Sequence, residues 1–191
     1  MRNRIALGAL GALTALTFAT NAFAHARISP PVAVAKESQV FTLAVPTEKE
    51  NAQTTSIELT LPTGFSIDSF VPAAGWKRVV QSTGSGDAAV VQKVTWTGGS
   101  VPTGEDATFS FLALANASKT YTFSVRQTYS DGSVVDWTGP ESSDAPAPTL
   151  KAVSSIGGGT STLSIVALAL AAIALIVAVV GLLTRGGRTL A

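Results

Sequence analysis

Residues 56–61, with the sequence Ser-Ile-Glu-Leu-Thr-Leu, alternate polar and apolar side chains at every position. Residues 120–125, Thr-Tyr-Thr-Phe-Ser-Val, repeat the pattern. Successive side chains of a β-strand point to opposite faces, so each segment is expected to show one face to a core and one to water. The surrounding chain lacks the 3.6-residue periodicity of an amphipathic helix. These stretches predict an antiparallel all-β domain.

Other short runs of β-branched and aromatic residues flank these two segments and are separated by Gly, Pro and Asn. The dipeptide Asp131-Gly132 lies between two such runs, as a hairpin turn does. The pattern predicts an antiparallel fold of two packed sheets. The predicted strands are Val32–Val34, Val40–Val45, Ser56–Leu61, Phe65–Val71, Lys77–Val80, Val90–Trp96, Ala107–Ala113, Thr120–Tyr129 and Ser133–Trp137.

The first 24 residues have the organisation of a secretory signal peptide. Arg2 and Arg4 precede an apolar stretch over residues 5–20, and Ala22-Phe23-Ala24 forms a small-x-small cleavage site. Cleavage after Ala24 would make His25 the first residue of the mature chain. It would also give that residue a free α-amine.

The C-terminal part predicts a membrane anchor. Residues 140–161, rich in Pro, Ser and Gly, are expected to form a flexible stalk after a domain that covers residues 25–139. Residues 162–184 are predicted to be a transmembrane helix, because Leu163 to Leu183 carries no charge and is long enough to cross a bilayer. Arg185 and Arg188 then place a short tail, residues 185–191, in the cytoplasm, so the domain is expected outside the cell membrane.

Composition narrows the possible functions of the domain. The chain contains no cysteine, which removes disulfides, thiolate metal sites and cysteine nucleophiles from consideration. Of its 13 basic residues, four lie in the signal segment or after the apolar helix, which leaves nine basic and 12 acidic side chains and a net charge of −3. A mildly acidic domain does not have the positive charge that attracts phosphate backbones. We therefore expect no nucleic-acid partner.

His25 is the only histidine in the chain. An N-terminal histidine can chelate a metal through its α-amine and its Nδ1, whose reference pKa values of about 7.7–8.0 and about 6.5 leave both available near neutral pH. Two nitrogens with oxygen or water in one plane suit Cu(II), which also stands highest in the divalent affinity series. The alternative is that the histidine follows the cleavage site by accident.

A third ligand would be a carboxylate, and Glu48 and Glu50 follow a predicted strand. By themselves these two residues are better explained as solvated loop charges than as ligands. The segment 129–139, Tyr-Ser-Asp-Gly-Ser-Val-Val-Asp-Trp-Thr-Gly, is a second candidate, although a hairpin that ends near an aromatic side chain requires no function beyond packing.

Taken together, several ordered motifs resemble the YcnI-like family of bacterial copper-binding proteins. They are His25 with Pro30, the segments 45–49 (Val-Pro-Thr-Glu-Lys) and 71–77 (Val-Pro-Ala-Ala-Gly-Trp-Lys), the Leu61-Pro62-x-Gly64 turn, and the segment 129–139. The resemblance covers the whole domain and extends to the C-terminal anchor. It implies an extracytoplasmic β-sandwich of the immunoglobulin or cupredoxin kind that binds one Cu(II) through a single-histidine brace.

Carried over to this chain, the resemblance implies that the metal ligands are the amine and imidazole of His25 and the carboxylate of Glu48, with Trp137 beside the metal. Many family members have a glutamate before that tryptophan, whereas this chain has the shorter Asp136.

The expected function is a membrane-anchored, non-enzymatic Cu(II) carrier in copper homeostasis, which delivers copper to or from a membrane copper transporter. One alternative is an oxidative copper enzyme of the polysaccharide monooxygenase kind, whose brace uses a second imidazole. Another is a metal-free adhesion or scaffold module.

Overall fold

The computed structural model describes residues 25–86, 89–157 and 161–185. The predicted signal peptide, residues 1–24, lies outside the described residues. So does nearly all of the predicted cytoplasmic tail. The described chain divides into a first unit that ends at Ser155 and a second that begins at Ile156, and each is treated separately.

The first unit is composed of twelve β-strands in its described part. They are β1 Arg27–Ser29, β2 Val32–Val34, β3 Ser38–Pro46, β4 Thr54–Thr60, β5 Phe65–Phe70, β6 Lys77–Thr83, β7 Val90–Val101, β8 Asp106–Ala115, β9 Thr120–Thr122, β10 Ser124–Tyr129, β11 Val134–Trp137 and β12 Thr149–Val153.

These strands form two main sheets and one small one. The four-stranded sheet has the order β1-β3-β8-β5, and the five-stranded sheet has the order β11-β10-β4-β7-β6. A third sheet, β2-β12-β9, includes the parallel pair β2 and β12, whereas the pairs in the two main sheets are antiparallel. The prediction of an antiparallel β-sandwich is confirmed.

The core lies between the two main sheets. In β4, Ile57 and Leu59 are fully buried, while Glu58 between them faces outward and pairs with Lys93 at 2.7 Å. Trp96 of the five-stranded sheet stacks on Phe109 of the four-stranded sheet with ring centroids 4.2 Å apart. Burying such rings removes a large apolar area from water, so these residues dominate the stability of the sandwich.

The predicted strand Thr120–Tyr129 is two strands in different sheets. β9 pairs with β12, whereas β10 pairs with β4. The break falls at Phe123, whose ring is fully buried and whose backbone N–H donates to the Pro148 carbonyl at 2.9 Å. The side-chain alternation continues through the break. For that reason the sequence pattern shows a single strand.

The domain extends beyond Gly139, the boundary expected from the sequence. Strand β12 lies within the stretch predicted to be a flexible stalk, where Leu150 and Ala152 are buried. Backbone hydrogen bonds from Gly139 N–H to Ala145 O, at 3.0 Å, and from Ala147 N–H to Gly139 O, at 2.9 Å, fold the preceding loop back on itself. Its Pro and Ser residues therefore form an ordered loop.

The second unit is a single helix in its described part, α1 Thr162–Arg185. Ser161 caps it, since its Oγ accepts the Ser164 N–H at 3.0 Å. Residues Thr162–Thr184 are apolar and long enough to cross a membrane, and their side chains are exposed within the unit. A membrane-spanning helix at this position agrees with the prediction from the sequence. Its orientation remains a prediction.

Leu150→Ala tests whether β12 is integral to the sandwich. Leu150 is 1% exposed, so we expect this truncation to lower the free energy of unfolding by about 2–5 kcal/mol. Lys151→Ala is the matched control, because Lys151 is exposed on the same strand. Chemical denaturation monitored by circular dichroism measures both. Equal stability of the two variants would show that β12 is dispensable.

Candidate metal centre

His25 lies two residues before β1, which forms one edge of the four-stranded sheet. In the antiparallel register of β1 and β3, Arg27 lies opposite Ala44 and Ser29 opposite Thr42. Continued by two residues, this register sets His25 opposite Pro46. The His25 side chain is exposed, whereas that of its neighbour Ala26 is buried.

Glu48 follows the end of β3 by two residues, and its side chain is exposed in the loop. Since β3 ends at Pro46, the segment that carries Glu48 begins beside His25. The strand register, continued to His25, therefore places these two predicted ligands at the same end of the sheet, although 23 positions separate them in the sequence.

The backbone on either side of Glu48 is held by neighbouring segments. Thr47 N–H donates to Glu105 O, and Gly104 N–H donates to Thr47 O, both at 2.9 Å. On the far side, the Thr103 hydroxyl donates to Lys49 O at 2.6 Å. An exposed carboxylate thus projects from a fixed piece of main chain.

The Lys49 side chain adds a second fixation of this loop. It forms an ion pair with Asp131 in the hairpin between β10 and β11 and donates to Ser133 Oγ at 2.8 Å. Hydrogen bonds hold the pKa of Asp131 well below its usual range. The bond from Lys49 has the largest effect, and those from Ser133 come next. Tyr129 lies beneath the same loop, and burial raises the pKa of its hydroxyl although hydrogen bonds with the Glu48 and Lys49 backbone partly oppose that effect.

A buried polar network lies behind the loop. Gln127, which is fully buried, donates through Nε2 to Pro46 O at 2.8 Å and to Thr54 Oγ1 at 2.7 Å. Thr54 in turn shares a hydrogen bond of 2.7 Å with the Thr47 hydroxyl. Unpaired polar groups are costly in a protein interior, so this network favours one position of β3's end relative to β4 and β10.

Trp137 belongs to the same network. Its indole is 1% exposed, and its Nε1–H donates to Gln127 Oε1 at 2.9 Å. A single amide side chain therefore joins the indole to the carbonyl of Pro46, the residue opposite His25 in the continued register. The indole also lies in the core cluster that contains Ala26, next to His25.

Asp136 occupies a different face from Trp137. On β11 its side chain is exposed, and it pairs with Arg126 at 3.3 Å, whereas the Trp137 side chain points into the core. This carboxylate consequently faces away from the indole. Glu50 is also exposed, further along the loop from β3 than Glu48.

Within the described ranges, no three His, Cys, Asp or Glu side chains converge into a preassembled metal cluster. A histidine that supplies both an amine and an imidazole needs only one carboxylate to provide three donors. The pairing of His25 with Glu48 therefore fits the chemistry of a metal bound by a chelating N-terminal residue.

Gln127 is the functional-site residue that the sequence analysis missed. The alternation in β10 points Val125, Gln127 and Tyr129 into the core, and all three are buried. A glutamine at an inward position of an alternating strand is a polar group that requires buried partners. That pattern was available in the sequence and could have identified it.

Fold and site together define an immunoglobulin-like β-sandwich that presents a histidine at the start of an edge strand, beside a fixed acidic loop. Comparison with known proteins identifies the family. Residues 25–152 match a family described as a domain of unknown function, DUF1775. The chain is 31% identical over 189 residues, which cover 89% of this chain and 90% of the relative, to the copper-binding protein CutI of Bacillus subtilis (strain 168).

An uncharacterised protein from Nocardia farcinica, whose crystal structure has an immunoglobulin-like fold, superposes with a TM-score of 0.57 at 34% identity. The superposition covers 68% of this chain and 98% of that protein. The chain belongs to the DUF1775 family, the YcnI-like family that its sequence motifs resemble.

Gln127→Leu tests the buried network. The substitution leaves the Trp137 N–H without an acceptor and the Pro46 carbonyl without this donor, so we expect a loss of about 1–3 kcal/mol of unfolding free energy for each group left unsatisfied. Gln92→Leu, at an exposed position of β7, is the control and should change stability by no more than about 0.5 kcal/mol. Denaturant titration measures both, and equal stability of the two would refute the structural role of the network.

Proposed function

We propose that this protein binds Cu(II) outside the cytoplasmic membrane and carries it as cargo in copper homeostasis. The α-amine and Nδ1 of His25 and the carboxylate of Glu48 are the proposed ligands. One observation supports the proposal: β1 and β3 pair Arg27 with Ala44, and this register, continued by two residues, would set His25 opposite Pro46, two residues before Glu48. Overall similarity to a protein named as copper-binding supports the choice of metal.

The donor set explains the preference for copper. The amine and Nδ1 of one residue close a chelate ring, and an adjacent carboxylate adds an anionic oxygen. Nitrogen and oxygen donors in a tetragonal arrangement suit Cu(II) over the softer, thiolate-seeking metals. Because both nitrogens must be deprotonated to bind, protons compete with the metal and copper affinity should fall as the pH is lowered.

Trp137 and Gln127 act behind the ligands. The indole lies in the buried core cluster that also contains Ala26, and Gln127 ties it to the Pro46 carbonyl. This arrangement would fix the main chain from which Glu48 projects. Outer-shell contacts of this kind typically change metal affinity by about 10–100-fold.

The proposal also covers location and partner. Helix α1 would anchor the domain to the cell membrane, and the basic residues that follow would keep the C-terminus in the cytoplasm. A site with three protein donors at the surface of the domain leaves a position open for exchange. Such a site suits transfer of copper to or from a membrane transporter.

We propose no enzymatic turnover. Oxidative copper enzymes with a histidine brace use a second imidazole, and this chain contains one histidine. The copper-loaded protein should therefore not oxidise a polysaccharide when it is supplied with ascorbate and oxygen.

A chain that begins at His25 should bind Cu(II) far more tightly than a chain that begins Met-His25. The added residue converts the α-amine into an amide and removes one nitrogen ligand. Competition titration against a chromophoric chelator compares the two affinities. Matching affinities would eliminate the chelating amine from the proposal.

Glu48→Gln should weaken Cu(II) binding and alter the electron paramagnetic resonance spectrum, because an amide keeps the size of the side chain and loses its charge. Glu50→Gln is the control, since Glu50 carries the same charge two residues further along the loop. Both variants should retain the stability of the native protein. If Glu50→Gln has the larger effect, Glu50 replaces Glu48 as the ligand.

A further inference from the structure

A cleft of about 490 Å³ opens beside His25. Residues 25–28 line one side, and the other side is formed by the loop that connects β11 to β12, with Thr122 of β9 at its margin. Strand β1 lies between β3 and β12. The cleft is therefore on the flank of His25 opposite to the one that leads to Glu48.

Glu141 brings a carboxylate into this cleft. In the described part of the chain it is the only acidic side chain that lines the cleft with His25. Arg27 lines the cleft too, but its guanidinium is paired with Asp106 at 2.9 Å. The Glu141 carboxylate is exposed, and it forms no ion pair with any of the residues that the structure describes.

The main chain that carries Glu141 has a fixed conformation. Ser143 N–H donates to Pro140 O at 2.9 Å, and the Ser143 hydroxyl donates to the same carbonyl at 2.7 Å. A Cβ on Gly139 would clash with the Ser143 side chain, so the loop packs closely on the end of β11. The loop thus holds the backbone of Glu141 beside the cleft, while the carboxylate itself remains free to rotate.

We propose that Glu141 supplies a second carboxylate to the copper bound at His25, entering from the cleft opposite to Glu48. This inference rests on the proposed function. Two nitrogens and one carboxylate fill three of the four strong positions that Cu(II) favours. A second carboxylate fills the fourth and balances the 2+ charge of the metal.

Among the residues that the structure describes, no three His, Asp or Glu side chains form a preassembled metal cluster. The exposed Glu141 side chain therefore has to turn toward His25 to reach the copper. In this proposal it is the labile ligand, through which the metal exchanges from the cleft.

Glu141→Gln, in the full chain beginning at His25, tests the proposal. Asp144→Asn is the matched control, since it removes the same charge from the same loop but does not line the cleft. Chelator competition measures the Cu(II) dissociation constant, which should increase about tenfold or more in Glu141→Gln. Even changes to residues outside the ligand set typically lower metal affinity by about 10–100-fold. The paramagnetic resonance spectrum of Glu141→Gln should also change, while Asp144→Asn matches the native protein in both measurements.

Native affinity and an unchanged spectrum in Glu141→Gln would overturn the proposal, as would equal effects of the two variants. The outcome is separable from that of the proposed function. If the native chain binds no tighter than the chain that begins Met-His25, the brace fails and the role of Glu141 fails with it. If the native chain binds Cu(II) tightly and Glu141→Gln changes neither the affinity nor the spectrum, only the role of Glu141 fails.

Discussion

The amide of Gln127 is the constraint on which the site depends. It is buried, and its two ends join Trp137 of β11 to the Pro46 carbonyl at the end of β3. Each of these polar groups would cost free energy if buried without a partner, so the strands are held in the one arrangement that satisfies them all. Because Pro46 lies opposite His25 in the continued register and two residues before Glu48, the same constraint fixes the main chain around the proposed metal. The structural core and the proposed site are thus one assembly.

The proposed site draws on main-chain positions that lie far apart in the sequence. His25 lies two residues before an edge strand, Glu48 follows the end of the neighbouring strand, and Glu141 lies in the loop that lines the cleft beside His25. The backbones that carry Glu48 and Glu141 are each held by hydrogen bonds, while the side chains themselves remain exposed. Rigid backbones with free side chains allow ligands to assemble around a cargo and to release it without unfolding the domain. This division suits a carrier better than a permanent metal site.

Local alternation was enough to predict most of the fold from the sequence. Strands β4 and β10 have the period-two pattern that predicts one buried face, and both lie in the five-stranded sheet. Strand β12 was missed because its flanking Pro and Ser residues have the composition of a linker, whereas its burial depends on pairing with β2 and β9, which are distant in sequence. The change of sheet at Phe123 was hidden for a similar reason, since the alternation continues across it. The proposed site residues His25, Glu48 and Trp137 came from motifs. The alternation of β10 could have identified Gln127 as an inward polar residue, but its partners and the cleft of Glu141 depend on contacts that only the three-dimensional structure shows.

The central claim is that the protein exists with His25 as its first residue and that this form takes up copper. Native mass spectrometry of the protein extracted from membranes, before and after Cu(II) is added, measures both parts at once. The account predicts a chain that begins at His25, gains the mass of one copper ion and loses it when the pH is lowered. A chain that retains residues 1–24, or one that begins at His25 and gains no copper, would contradict it.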